Sequence, residues 1–128
     1  MRYIANAISL GMLDDLSTCG VTRWLECRQV GSITDACLML HNWSIDGGFT
    51  SCVGHADTAQ LLTTMLDQPI EVRRVTTSLL AGDEILVAQY NGPRLPEGAI
   101  SLPPGAKIRW IYVRVHKTGP PTAPAPRV

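Results

Sequence analysis

Phe49-Thr50-Ser51-Cys52-Val53-Gly54-His55-Ala56-Asp57-Thr58-Ala59-Gln60-Leu61-Leu62 joins two periodicities at a single glycine. Ahead of Gly54, Phe49 to Val53 is short and apolar, which predicts a buried strand. Behind it, Ala59, Leu62 and Leu66 recur at helical spacing, with Leu61 and Met65 beside them. A helix therefore opens over Gly54–Thr58 and runs to about Asp67. Pro69 stops it, because a proline drives the residue before it out of helical geometry. A strand passing directly into a helix is the building unit of folds that layer helices on a sheet.

The same reading extends in both directions. Tyr3–Ala7 is apolar and unbroken and predicts a first strand. Ser9–Leu16 follows as a short helix or loop, with Ser9 placed to cap it and Gly11 weakening it by about 1 kcal/mol. Val21–Val30 has the β-branched and aromatic content of a strand. Ile33–Trp43 keeps helical spacing through Ala36, Leu40 and Trp43 and is capped by Ser32 or Thr34. Asp46-Gly47-Gly48 is a turn. Beyond Pro69, Val72–Leu79, Glu84–Asn91 and Lys107–Val115 alternate with period two, and Ala81-Gly82-Asp83 joins the first two as a hairpin-type turn. The class is α/β or α+β: a mixed sheet of about five strands flanked by helices, in one domain over residues 1–117. Residues 118–128, with Pro120, Pro121, Pro124 and Pro126, form a proline-rich tail.

Charge and composition exclude several functions. Eleven basic residues balance eleven acidic ones, which argues against a protein that coats long nucleic acid. A small anion held by one or two arginines remains compatible with that balance. No apolar run approaches the roughly 18–20 residues that span a bilayer, and no apolar stretch of signal-peptide length precedes Ala5-Asn6-Ala7. The chain reads as a mature cytoplasmic protein with no membrane partner. Cys19, Cys27, Cys37 and Cys52 lack metal-finger spacing and read as reduced, mostly buried thiols.

Three places carry candidate chemistry. His55 stands at the strand-to-helix junction, where free backbone amides of a helix N-terminus meet the carboxyl end of a strand, the usual ligand position of such sheets. Arg94 and Glu97 sit three apart on the long loop Gly92–Gly105, rich in proline and glycine. Asn6 and Ser9 are polar residues just past the first strand. The competing structural roles are a capping histidine, a solvated Arg–Glu pair and a turn with a helix cap. His41, near a helix end, and His116, at a strand end, read as structural and solvated residues. Neither carboxylates nor histidines cluster at metal-ligand spacing, so neither a metal nor another cofactor is expected.

Tyr3-Ile4-Ala5-Asn6-Ala7-Ile8-Ser9, Val53-Gly54-His55-Ala56-Asp57-Thr58-Ala59 and Arg94-Leu95-Pro96-Glu97-Gly98, in this order, resemble the viral ring nuclease family of type III anti-CRISPR proteins and its CRISPR-associated relatives. The resemblance covers roughly Tyr3 to Val115, and its most specific piece is Gly-His-x-x-Thr-Ala. It implies a homodimer that binds cyclic tetra-adenylate across its two-fold axis. It also implies metal-free cleavage to linear di-adenylates ending in 2′,3′-cyclic phosphate, which switches off type III CRISPR signalling. By position, His55 is then the general acid, Arg94 and Glu97 its active-site partners, and Asn6, Ser9 and Gly54 ligand contacts. The chemistry is consistent with this assignment: RNA supplies its own 2′-hydroxyl nucleophile, and imidazole is an effective proton donor near neutral pH. The competing classes are a non-catalytic binder of the same ring and a small interaction module using its proline-rich tail.

Overall fold

The computed structural model describes residues 1–13, 19–74 and 77–118. Its elements in chain order are β1 (Arg2–Ala5), a 3₁₀ turn (Leu10–Met12), β2 (Trp24–Val30), α1 (Ile33–Ile45), β3 (Thr50–Ser51), α2 (Ala56–Leu66), β4 (Glu84–Asn91) and β5 (Lys107–His116). The strands form one sheet in the order β2-β5-β4-β1-β3. β1 lies between two parallel neighbours, β3 (Tyr3↔Thr50) and β4 (Ile4↔Leu86). β4–β5 and β5–β2 are antiparallel, so the sheet is mixed and the class is α+β.

Period two divides each strand between two cores. Ile4, Leu86, Ala88, Trp110 and Tyr112 face one side, where Ala36, Leu40 and Trp43 of α1 and Ala59, Leu62 and Leu66 of α2 cover them. These helical residues are the stripes read from the sequence. Tyr3, Ala5, Ile85, Val87, Val113 and Val115 face the other side, against Leu13 and Leu79 from the loops. Ser32 caps α1, its hydroxyl accepting from the Asp35 amide at 3.2 Å. At the amino end of β1, the Arg2 side chain donates to the Asp46 carbonyl (2.7 Å) and to Glu84 Oε2 (3.0 Å), tying β1 to the end of α1 and to β4.

Several expectations are corrected. Val72–Leu79 is not a strand among the described residues: only Val72 bridges, in parallel, to Val53. Glu71, Val72, Arg73 and Arg74 are all exposed, so the first half of this segment offers no apolar face to bury. The turn at Ala81-Gly82-Asp83 forms, with Asp83 Oδ2 accepting from the Leu80 amide at 2.9 Å. It leads into β4 rather than closing a hairpin. The helix expected over Ser9–Leu16 is a single 3₁₀ turn at Leu10–Met12, and residues 14–18 lie outside the described ones. The first and third strands are shorter than Tyr3–Ala7 and Phe49–Val53, because register with β4 ends at Ala5 and β3 pairs over two residues only. Cys19 and Cys27 are exposed, and Cys37 and Cys52 half-buried, not mostly buried. His116 is not simply solvated: its Nε2 lies 2.9 Å from Glu26 Oε1 and its ring 4.7 Å from that of Trp24. The tail falls outside the described residues from 119 onward.

Glu84 links the two strands that flank β4. It accepts from Arg2 and, at 2.7 Å, from the Tyr112 hydroxyl. Burial pushes the Glu84 carboxyl up, but the Tyr112 and Arg2 hydrogen bonds outweigh it and hold the group below its usual range. Burial, then the bond to Glu84, pushes the Tyr112 hydroxyl up to about 12. A depressed carboxyl contributes stability above its unfolded value and loses that contribution as pH falls through its folded value. Glu84→Gln therefore lowers the melting temperature at neutral pH. The gap to the parent protein narrows as the pH drops below about 4.5. Thermal melts across that range check it; a gap independent of pH contradicts it.

Candidate functional site

Parallel pairing puts the carboxyl ends of β1 and β3 side by side. The Cys52 amide donates to the Ile4 carbonyl at 2.7 Å, so the chain leaving β3 runs beside the chain leaving β1. Asn6 follows β1, and Gly54 and His55 follow β3 into α2. Here Asn6, Ser9, Gly54 and His55 line a hollow of about 510 Å³.

His55 is the N-cap residue of α2, with extended backbone (φ −118°, ψ 129°), and its side chain makes no capping bond. Its carbonyl accepts from the Ala59 amide at 3.0 Å, so the backbone alone does the capping work. The imidazole is exposed and makes no hydrogen bond to any described residue. Of the competing structural role, a capping or packed histidine, only the backbone part is present: the side chain neither caps the helix nor packs into the core. The first-turn amides of α2 open beside it, a favourable position for an anion.

Two functional candidates escaped the sequence reading. Arg73 and Arg74 line the same hollow, from the exposed strip that follows Pro69. The Arg73 amide donates to the Val53 carbonyl at 2.8 Å, and Arg74 Nε donates to the Gly54 carbonyl at 2.7 Å. This lays the strip beside β3 and holds the Arg74 guanidinium over Gly54. The Arg-Arg doublet was the available signal. Reading 72–79 as an alternating strand sent its two members to opposite faces and hid it.

On its other side, His55 borders a second hollow of about 440 Å³ with Asp57, Thr58, Tyr90, Gly92, Arg94 and Leu95. Arg94 thus reaches the neighbourhood of His55. Glu97 lies one step further out, in a hollow of about 590 Å³ shared with Asp57, Arg94 and Leu95. The structure does not bring Glu97 to His55 directly, and no ion pair joins Glu97 to Arg94. Three arginines therefore surround a histidine at a helix N-terminus, with two carboxylates, Asp57 and Glu97, on the loop side. Guanidinium groups and helix N-terminal amides are the donors suited to phosphate oxygens, and here they flank an imidazole. Among the described residues, no three His, Cys, Asp or Glu side chains gather as metal ligands, and no helix is long and apolar enough to cross a membrane.

The neck of the Arg94 loop is tightly built. Tyr90 Oη donates to the Pro93 carbonyl. Gly92 has φ +156°, and a Cβ placed on it would stand 2.7 Å from the Cα of Ala106 across the neck.

A family model described as STIV B116-like matches residues 2–104. Among solved structures, the chain is similar to B116 of Sulfolobus turreted icosahedral virus. The two share 26% sequence identity with a TM-score of 0.70, over 88% of this chain and 97% of that one. No protein of curated function matches.

The loop neck yields a direct check of this placement. Gly92→Ala forces both a strained backbone angle and a clash with Ala106, and costs about 1–3 kcal/mol of stability. Thermal melts measure it; an unchanged melting temperature would show that the loop does not close on Gly92 as described.

Proposed function

The chain belongs to the STIV B116-like family, and on that premise we propose that it is a metal-independent ring nuclease that opens cyclic tetra-adenylate and so switches off type III CRISPR signalling. One observation carries the reading. An exposed imidazole, unused by the fold, stands between two hollows that arginines line, at the carboxyl ends of parallel strands.

The chemistry follows from this chain's residues. Arg73, Arg74 and the first-turn amides of α2 bind phosphate oxygens on one side of His55, and Arg94 binds them on the other. Held in line, a ribose 2′-oxygen bonds to the adjacent phosphorus, and its proton passes to water. The bond from phosphorus to the 5′-oxygen breaks, and His55 donates a proton to that leaving oxygen. The products carry 2′,3′-cyclic phosphate ends. Asn6, Ser9 and Gly54 contact the ligand, and Glu97, one hollow further out than Arg94, is the remaining active-site partner of His55. A four-nucleotide ring has approximate two-fold symmetry, so two copies of the chain offer it matched half-sites. A neutral protein suits such a ligand, because a compact tetra-anion needs a local cluster of cations rather than a basic surface.

Replacement of the histidine separates chemistry from binding. In His55→Ala, cleavage of labelled cyclic tetra-adenylate falls by roughly 10²-fold or more while binding of the ring is kept. In Arg74→Ala, binding weakens and its dependence on salt becomes shallower. Tight binding by the parent protein without turnover would favour a non-catalytic binder. Equal cleavage by His55→Ala and the parent would remove His55 from the mechanism.

A further inference from the structure

Three polar residues are buried among the described ones: Ser51, Thr77 and Asp83. A buried polar group has lost its water and needs partners in the protein. Two of the three are held by the backbone. The Ser51 hydroxyl donates to the Glu71 carbonyl and accepts from the Val53 amide. The Asp83 carboxylate accepts from the amino terminus and from the Leu80 amide. Thr77 is different. It is only 7% exposed, yet its hydroxyl bonds no backbone group among the described residues. Its partner is the Cys52 thiol, at 3.1 Å. A thiol is a weak donor and a weak acceptor.

Thr77 and Cys52 both line the hollow on the Arg73 and Arg74 side of His55. The backbone fixes both places. The Cys52 amide is bonded to the Ile4 carbonyl, and two residues beyond Thr77 the Leu79 amide donates to the Met12 carbonyl at 2.6 Å. Leu79 itself is buried in the second core. The Thr77 hydroxyl is therefore a fixed feature of the hollow's wall.

Its remaining capacity is an acceptor position. If the hydroxyl donates to sulfur, both of its lone pairs are left; if the thiol donates to it, one is left. Either way the wall offers a place to a ligand donor. Ionised phosphate oxygens only accept, and the arginines of the same hollow suit them. In a closed ring of 3′–5′ linked ribonucleotides, the 2′-hydroxyls are the only hydroxyls, and they distinguish RNA from DNA. We propose that Thr77 is a specificity-determining residue: its Oγ1 accepts a hydrogen bond from a ribose 2′-hydroxyl of the ring, so that the hollow takes ribonucleotides in preference to deoxyribonucleotides. A deoxy sugar in that place leaves a buried hydroxyl without its ligand partner, and a site built to bond a ligand hydroxyl rejects the analogue that lacks it. The inference rests on the ring-nuclease reading and adds selection of the sugar to it.

Binding is measured on the full chain carrying His55→Ala, which leaves the ring uncut. The two probes are cyclic tetra-adenylate and its 2′-deoxy counterpart. The ribose ring binds about tenfold more tightly, as one neutral hydrogen bond gives. Adding Thr77→Val, which keeps the shape and removes the hydroxyl, weakens the ribose ring to the level of the deoxy ring. The deoxy ring binds as before, which shows that the hollow is still formed. Adding Thr77→Ser instead keeps the preference for ribose. Equal weakening of both rings by Thr77→Val overturns the sugar contact in favour of packing or of a bond to the adenine amino group. No weakening of either ring removes Thr77 from recognition. In both cases the ring-nuclease reading stands. Failure of the parent chain to bind either ring overturns that reading and this inference together.

Discussion

Everything about this molecule's site depends on β1 pairing in parallel with strands on both sides. Parallel neighbours cannot be joined by a tight turn, so the chain must leave the sheet and return across its face. α1 and α2 lie in these excursions and cover the same side. The further consequence is directional. The chain leaves β1 and β3 at the same end of the sheet, which brings Asn6, Gly54 and His55 together from distant parts of the sequence. The antiparallel pair β4 and β5 adds breadth and half of the buried residues of the second core. They also support the loop that carries Arg94 back toward His55.

The electrostatics follow the same plan. A protein with no net charge concentrates cations in one place by putting Arg73 and Arg74 on an exposed strip and tying Arg74 to the Gly54 carbonyl. That bond joins the arginine to the backbone of the strand-to-helix junction, so the guanidinium and the helix N-terminus lie side by side. His55 lies between this surface and Arg94. Its main chain caps α2 while its side chain remains uncommitted.

How much of this was legible varies with how local each interaction is. β4 matches its alternating pattern residue for residue, because Ile85 and Val87 serve one core and Leu86 and Ala88 the other. The helical stripes at Leu40 and Leu62 are equally local, and both were readable. Strand order was not: which strands flank β1 is set by pairing between distant segments, which periodicity does not encode. The segment after Pro69 misled for a related reason. The alternation read from Val72 and Arg74 onward has a strand's period, but Glu71, Val72, Arg73 and Arg74 bury no face, and so the two arginines at the site were missed. His55 was found because a glycine-histidine pair between an apolar run and a helical stripe has only a few structural meanings. The loop residues were placed by resemblance, and the geometry brings Arg94 nearer to His55 than Glu97.

The central claim is that this arrangement breaks a phosphodiester bond without a metal. The most direct measurement incubates the purified protein with cyclic tetra-adenylate in EDTA and reads the products by mass spectrometry. The account predicts linear di-adenylate with 2′,3′-cyclic phosphate ends. A ring recovered intact and unbound would contradict it.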